Sequence, residues 1–452
     1  MGVRRGRKRR IVGIIVAIIV VLGIGFAIYL RGPGPTDFSG GQKVALSEYH
    51  DANPTSVPAS LKGADAIQRG EYLTRAADCM VCHTVRGGEQ YAGGFAFTLP
   101  FGTIYSTNIT PDKETGIGNY TDQDFLEAMH RGVRRDGARL YPAMPFASYT
   151  YMTDEDALAI KAYLFSLAPV HAPARANDLK FPFNQRWLLG TWSVVFNADA
   201  RFKPDGAKSA EWNRGAYLSE ALAHCGECHT PRNVAFGLDN RKKFAGAETG
   251  GWRAYNISAD ADSGVAKWSD DELVAYLKSG HAQDHGTASG PMGEAVVESF
   301  SRMAPEDVKA IVTYVRSVPA TKSSDLPATL APPASASPKE GVAAANVRGK
   351  QMFEGACASC HGWTGVSYLS PYATLTGSRA INDPSGMNVA QMVISGSGGG
   401  SFGGAPNMPA FGNSYSNAEI ADVVNYVTAR FGSQPSSLAA NDVAKFRRQG
   451  AQ

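Results

Sequence analysis

Ile11 to Leu30 is an uninterrupted apolar stretch with no charge and no strongly polar group. As a helix rising about 1.5 Å per residue it reaches roughly 30 Å, the thickness of a bilayer's hydrocarbon core. A cleaved signal peptide has an apolar region of about 7–15 residues and a small-x-small cleavage site. This run is longer and ends in Ile28-Tyr29-Leu30-Arg31, which offers no such site. The pattern predicts an uncleaved transmembrane anchor over residues 1–31. Arg4, Arg5, Arg7, Lys8, Arg9 and Arg10 precede the span. They would hold the N-terminus in the cytoplasm and place the rest on the periplasmic side of the cell inner membrane.

Beyond the anchor the polar and apolar positions repeat. Arg69-Gly70, Arg214-Gly215 and Arg348-Gly349 open three copies. Ser106-Thr107-Asn108-Ile109-Thr110 matches Ala254-Tyr255-Asn256-Ile257-Ser258, and Asn119-Tyr120-Thr121-Asp122 matches Lys267-Trp268-Ser269-Asp270. The two Asn-x-Thr/Ser triplets also read as glycosylation sequons, but their equivalent place in the repeat explains them better. Thr121-x-x-Asp124 and Ser269-x-x-Glu272 have the form of capping boxes, opening helices that stop near Gly132 and Gly280. The third copy has a helical run from Val389 to Ser395, stopping at Gly396. A final helix follows in each copy, opened by Thr153-x-x-Asp156, by Pro305, and by Ser416-x-x-Glu419. The expected architecture is all-α, with three tandem domains behind one transmembrane helix. The domains fall at 60–170, 211–318 and 344–432. An inter-domain segment covers 171–210, a Pro/Ala/Ser-rich linker 319–343, and a polar tail 433–452.

Charge and composition sharpen this. The chain has 452 residues, 44% apolar and 19% charged, which is globular composition and enough for about three domains. Its formal charge of +3 is concentrated at the N-terminus, for the rest carries 37 basic against 41 acidic side chains. Nothing in it resembles the basic face of a nucleic-acid binder.

All six cysteines fall in three copies of one pentapeptide: Cys79-Met-Val-Cys82-His83, Cys225-Gly-Glu-Cys228-His229 and Cys357-Ala-Ser-Cys360-His361. Cys-x-x-Cys-His is the attachment signature of c-type haem. Two thiols three residues apart reach the two vinyl groups of one porphyrin, and the adjacent imidazole is held at the iron. A zinc site usually takes four ligands from paired motifs, whereas these lie over a hundred residues apart. A redox dithiol wants a βαβ context that is missing. The prediction is three covalently bound haem c groups, with His83, His229 and His361 as axial ligands.

Twelve residues after Gly132, Gly280 and Gly396 stand Met144, Met292 and Met408. Each is expected in a loop rather than on a periodic apolar face, and each reads as the second axial ligand. A thioether is soft, binds iron weakly and raises the potential relative to bis-histidine ligation. Met129, Met152, Met303 and Met392 sit on or beside helices and read as core packing. His281 and His285 are the alternatives for the second haem. Iron filled on both sides suits single-electron transfer and leaves no open position for a substrate, so no catalytic residue is expected.

With these motifs the chain resembles the trihaem cytochrome c subunit of bacterial membrane-bound dehydrogenases acting on alcohol, gluconate, fructose or aldehyde. The resemblance covers roughly residues 65–432. It is most specific at Tyr91-Ala-Gly-Gly, at Phe101-Gly-Thr-Ile-Tyr-Ser-Thr-Asn-Ile-Thr-Pro-Asp112, and at Leu140-Tyr-Pro-Ala-Met-Pro145. It implies class I cytochrome c-like domains and a periplasmic dehydrogenase catalytic subunit as partner, with an iron–sulfur or small subunit as a further one. It also implies ubiquinone as the electron acceptor. The N-terminal anchor resembles the cytochrome partner of a molybdopterin aldehyde dehydrogenase. The competing circuit is a cytochrome feeding a terminal oxidase. Pro100 and Pro371 stand where cytochromes c often supply a carbonyl to the proximal histidine, and the second copy has no evident counterpart. Arg134 and Arg135 are candidates for haem propionates or a solvated basic loop. Trp187 to Phe196 is too short to span a bilayer. Packing between domains is its expected role, with contact to membrane surface or quinone as the alternative. Gly396 to Gly404 lacks the Gly-x-x-x-x-Gly-Lys pattern and reads as a loop, not a phosphate cradle.

Overall fold

The computed structural model describes residues 2–36, 43–45, 58–323, 343, 346–397 and 407–450. Most of the predicted linker and most of the glycine stretch after Gly396 lie outside the described residues. About half of the chain is helical. Helix α1 (Gly2–Arg31) contains the apolar run. Among the described residues, it is the one helix long and apolar enough to cross a membrane, with a mean hydropathy of 3.2 over its apolar window and no part of that window buried. The last carbonyls of such a helix have no partner within it. Here the 233–241 loop supplies them. Asn233 Nδ2 donates to Leu30 O at 2.9 Å and Arg241 Nη1 to Tyr29 O at 2.7 Å. The Arg241 guanidinium also lies 4.6 Å from the centre of the Tyr29 ring.

Each repeat is built on a crossing of its first and last helices. In copy one these are α2 (Ala66–Ala76) and the later helix Asp154–Ser166, and between them lie α3 (Cys79–His83), α4 (Asp122–Arg131) and the turn α5 (Phe146–Tyr149). Asp154–Ser166 is α6, and α7 (Leu188–Phe196) leads to copy two. There α8 (Ala210–Tyr217) and α9 (Gly226–His229) are followed by α10 (Asp270–Ser279), α11 (Gly290–Glu298) and α12 (Pro305–Ser317), with α8 crossing α12. In copy three Val347–Met352 crosses Asn417–Phe431. The glycine of each Arg-Gly pair makes the crossing possible. A Cβ at Gly70 would stand 1.9 Å from Ala159 O, one at Gly215 1.8 Å from Ala310 O, and one at Gly349 2.3 Å from Asp422 O. Backbone oxygen cannot give way at such distances, so any side chain there separates the helices.

The capping boxes form at Thr121/Asp124, Ser269/Glu272 and Ser416/Glu419, and α4 and α10 end at Gly132 and Gly280 in the left-handed conformation. The all-α expectation needs one correction. Short antiparallel hairpins join Ala96–Leu99 to Gly102–Tyr105 and Ala247–Thr249 to Trp252–Ala254. Their strands have three or four residues, too few for a legible alternation of polar and apolar positions.

One hydrophobic core runs through the first two copies, from Leu73, Phe125 and Ile160 to Tyr217, Val308 and Tyr314. A second core belongs to copy three, around Phe353, Ile420, Val424 and Phe431. A reciprocal polar lock joins copies one and two. Arg69 pairs with Asp156 within copy one, and Tyr217 of copy two donates to Asp156 Oδ2 at 2.6 Å. Arg214 pairs with Asp307 at 2.7 Å within copy two, and Tyr72 of copy one donates to Asp307 Oδ2 at 2.6 Å. Each tyrosine oxygen also accepts a backbone N–H opening the partner's last helix, from Thr153 at 3.2 Å and from Ala304 at 3.1 Å. The exchange is that of a two-fold interface between unlike halves of one chain. Copy three has Gln351 where the tyrosine would stand, and its Glu419 bonds its own Ser416. It instead meets copy two through Arg253 and Asp383 (3.4 Å) and through Asn388, which exchanges two bonds with the Arg253 backbone at 2.8 and 2.9 Å.

Candidate haem-binding sites

Each pentapeptide ends in a short helix: α3, α9 and Ala358–His361. Copies two and three reach it through a π-helical turn, Leu218–Leu222 and Phe353–Cys357. Such turns insert one residue into a helix and often mark functional sites. The six thiols are unpaired, five of them half-buried and Cys360 exposed. The surroundings of the five half-buried thiols disfavour a thiolate. Burial pushes the Cys79 and Cys225 thiols up to about 12, and the Cys228 and Cys357 thiols up to about 11. A redox dithiol needs the opposite shift. Among the described residues, no three His, Cys, Asp or Glu side chains converge as they would around a metal ion such as zinc.

The histidines carry the plainest signal. His83 Nδ1 lies 2.7 Å from Thr107 O, His229 Nδ1 2.6 Å from Tyr255 O, and His361 Nδ1 2.6 Å from Ala373 O. A carbonyl oxygen only accepts, so each Nδ1 carries the proton and each Nε2 keeps its lone pair. Burial lowers the pKa of all three rings and favours the neutral form. A neutral imidazole oriented through its other nitrogen is the form that ligates a metal. Beside each ring stand two free thiols, so the donor set suits a covalently held haem.

These carbonyls are not the expected ones. Pro100 lies in the turn between the strands Ala96–Leu99 and Gly102–Tyr105, and Pro371 opens the turn Pro371–Ala373 whose last residue gives the carbonyl. Copy two has its counterpart in Tyr255. Thr107 and Tyr255 each precede the asparagine of the repeated Asn-x-Thr/Ser loop, a position visible in the repeat. Both asparagines are buried, at 2% and 0% exposure, which removes them as glycosylation acceptors. They pin the loop instead. Asn108 Nδ2 donates to Val170 O at 2.7 Å and Asn256 Nδ2 to Thr321 O at 2.6 Å.

Met144 lies in a loop, half-buried, and Met408 in another, where it exchanges bonds with Ser397 at 3.0 and 3.1 Å. Met292 departs from expectation, standing in the first turn of α11. Pro291 before it suits the start of a helix, which extends the element one turn into the expected loop. Met129, Met152 and Met303 are buried in the core. His281 bonds Thr287 Oγ1 at 2.9 Å, and His285 stacks on Trp268 at 3.8 Å and faces Glu272 at 3.5 Å. Arg134 pairs with Asp136 at 2.9 Å and Arg135 is exposed, as in a solvated basic loop.

The first two sites abut each other reciprocally. Helix α11, which carries Met292, packs on α3, the helix of the first pentapeptide. Ser148, in the turn after Met144, donates to Glu227 of the second pentapeptide at 3.0 Å.

The family described as Cytochrome c matches residues 67–168 and 347–430. The chain is 39% identical over 421 residues to the fructose dehydrogenase cytochrome subunit of Gluconobacter japonicus, covering 89% of this chain and 86% of the relative. To the gluconate 2-dehydrogenase cytochrome c subunit of Pantoea cypripedii it is 37% identical over 404 residues, covering 84% and 89%. The chain belongs to the family of dehydrogenase cytochrome c subunits. The cytochrome c subunit of alcohol dehydrogenase (quinone) from Gluconobacter oxydans (strain 621H) is a further relative, 36% identical over 406 residues, covering 85% and 83%. Membership in this family makes the chain an electron-transfer protein with covalently bound haem c.

Proposed function

We propose that this chain is a membrane-anchored trihaem cytochrome c that takes electrons from a periplasmic dehydrogenase catalytic subunit and passes them to ubiquinone. The observation that carries the haem count is the threefold recurrence of one arrangement: two free thiols beside an imidazole fixed through Nδ1 to a backbone carbonyl. When bound, haem supplies a one-electron iron couple. The chain's own part is to hold each group by Cys79 and Cys82, Cys225 and Cys228, or Cys357 and Cys360. His83, His229 and His361 are the proximal ligands, and Met144, Met292 and Met408 the second ones. Copies one, two and three form its cytochrome c-like domains.

The quinone reading is supported by the relatives, one of which is named as a subunit of alcohol dehydrogenase (quinone). A small cavity beside the exit of α1, lined by Met144, Trp192, Phe196, Glu227 and Arg232 together with Arg31, brings the end of the anchor next to the proposed ligand Met144. The anchor reading rests on the length and hydropathy of α1 and the basic residues before it.

Two measurements test this. Replacing Met144, Met292 or Met408 singly by alanine is expected to lower the potential of one haem or open its sixth position, read by redox titration and by the appearance of a high-spin band. A high-spin haem in the native protein would contradict the ligand assignment. A detergent-purified complex is expected to reduce a ubiquinone analogue with an alcohol, sugar or aldehyde as donor. Co-purification with a haem–copper oxidase and no dehydrogenase would assign the opposite circuit.

A further inference from the structure

Two segments far apart in sequence, residues 181–196 and the 233–241 loop, converge where α1 leaves its apolar run. The 233–241 loop bonds the carbonyls of Tyr29 and Leu30. Helix α7 packs against α1 and is tied to the same loop by Trp192 Nε1, which donates to Ala235 O at 2.9 Å. The 181–183 turn joins them through stacked rings, with Phe183 4.1 Å from Phe101 and 5.9 Å from Phe236. From this junction four large apolar side chains point outward: Phe181 at 79% exposure, Trp187 at 71%, Val194 at 81% and Val234 at 84%. Val234 adjoins Asn233, the partner of Leu30 O, and α7, which carries Val194, packs against α1, so the patch borders the end of the apolar span. Lys180, Arg186 and Arg232 stand beside them in sequence, Arg232 paired with Glu227 at 2.5 Å, and no acidic residue occurs from 180 to 196 or from 230 to 238.

We propose that this patch is a second, monotopic membrane contact, in which Phe181, Trp187, Val194 and Val234 enter the interfacial region of the bilayer beside α1. The inference rests on α1 being a membrane anchor. An apolar patch rimmed by cations suits an anionic lipid surface, and tryptophan favours the headgroup level. Continuity with the span selects lipid over a protein partner, because the patch begins where the anchor meets the membrane surface. Seated in this way, the first two copies are held by their face as well as by a tether. The cavity lined by Arg31, Trp192 and Phe196 then opens at lipid level.

The test uses the full-length, haem-loaded protein in nanodiscs of phosphatidylcholine and phosphatidylglycerol doped with a lipid carrying a photoreactive acyl chain. After irradiation, adducts are mapped by peptide mass spectrometry. They are expected on α1 and also on residues 181–194 and 234–236. Substituting Phe181→Ser, Trp187→Ser, Val194→Ser and Val234→Ser together is expected to lower the latter adducts at least about tenfold while those on α1 persist. Adducts confined to α1 in the native protein overturn the proposal. Failure of the anchor reading is separate: α1 would then take no adducts and alkaline carbonate would strip the protein from membranes.

Discussion

Replacing both Cys79 and Cys82 by serine is expected to lower the covalent haem count from three per chain to two, counted by the pyridine haemochrome against protein mass. Native haem should survive acid–acetone extraction, because a thioether is not broken by acid. The effect is all or none at that site, since attachment needs both thiols three residues apart and serine forms no thioether. The other two sites have their own motifs and their own histidine acceptors, Tyr255 O and Ala373 O. Copy two feels the change most, for α11 packs on α3 and Ser148 reaches Glu227 across the same junction. Its midpoint potential is therefore expected to shift while that of copy three does not. Zinc bound in place of haem, or haem that extracts into acid–acetone, would refute the assignment.

The helix caps are legible because each is local. Thr121 with Asp124 or Ser269 with Glu272 closes a hydrogen-bonded loop within one turn of helix. What stayed hidden depends on distant partners. The carbonyl that orients His83 lies 24 residues on, behind a hairpin whose strands are too short to show a period, so Pro100 was the wrong candidate. Thr153-x-x-Asp156 looked like one more capping box. Thr153 does cap the backbone, but the Asp156 carboxylate is taken by Arg69 and by Tyr217 from the other copy. Tyr72 and Tyr217 recur three residues after the arginines, a signal in plain view with no meaning until the copies are placed face to face. Trp187 to Phe196 is expected to pack between domains. It does so through Trp192 and Phe196, while Trp187 and Val194 on the same stretch remain exposed. Periodicity marks nine residues of this length as a helix but not which of its faces finds a partner.

Asp307→Ala is expected to destabilise the first two copies together and to leave the third unchanged. Asp307 is 2% exposed and serves three donors at once: Arg214 Nε at 2.9 Å, Arg214 Nη2 at 2.7 Å and the Tyr72 hydroxyl at 2.6 Å. Removing the carboxylate leaves a buried guanidinium without its counter-charge, which costs about 3–5 kcal/mol. Tyr72→Phe removes less. It deletes one hydrogen bond to a charged group, worth about 1.5–3 kcal/mol, and leaves the Ala304 N–H without its acceptor. Burial, and then the nearby Asp307 carboxylate, raise the Tyr72 pKa above its ordinary value, which favours the protonated, donating hydroxyl. Tyr217→Phe should repeat the tyrosine loss from the other side, whereas Asp156→Ala should cost less than Asp307→Ala, because Arg69 keeps its pairing with Glu155 at 2.9 Å. Urea unfolding is expected to show two transitions, one for the joint core of copies one and two and one for the separate core of copy three. All four substitutions should move the first midpoint alone. Equal movement of both would mean that the three copies unfold as one unit and that the tyrosine–aspartate exchange does not define a pair.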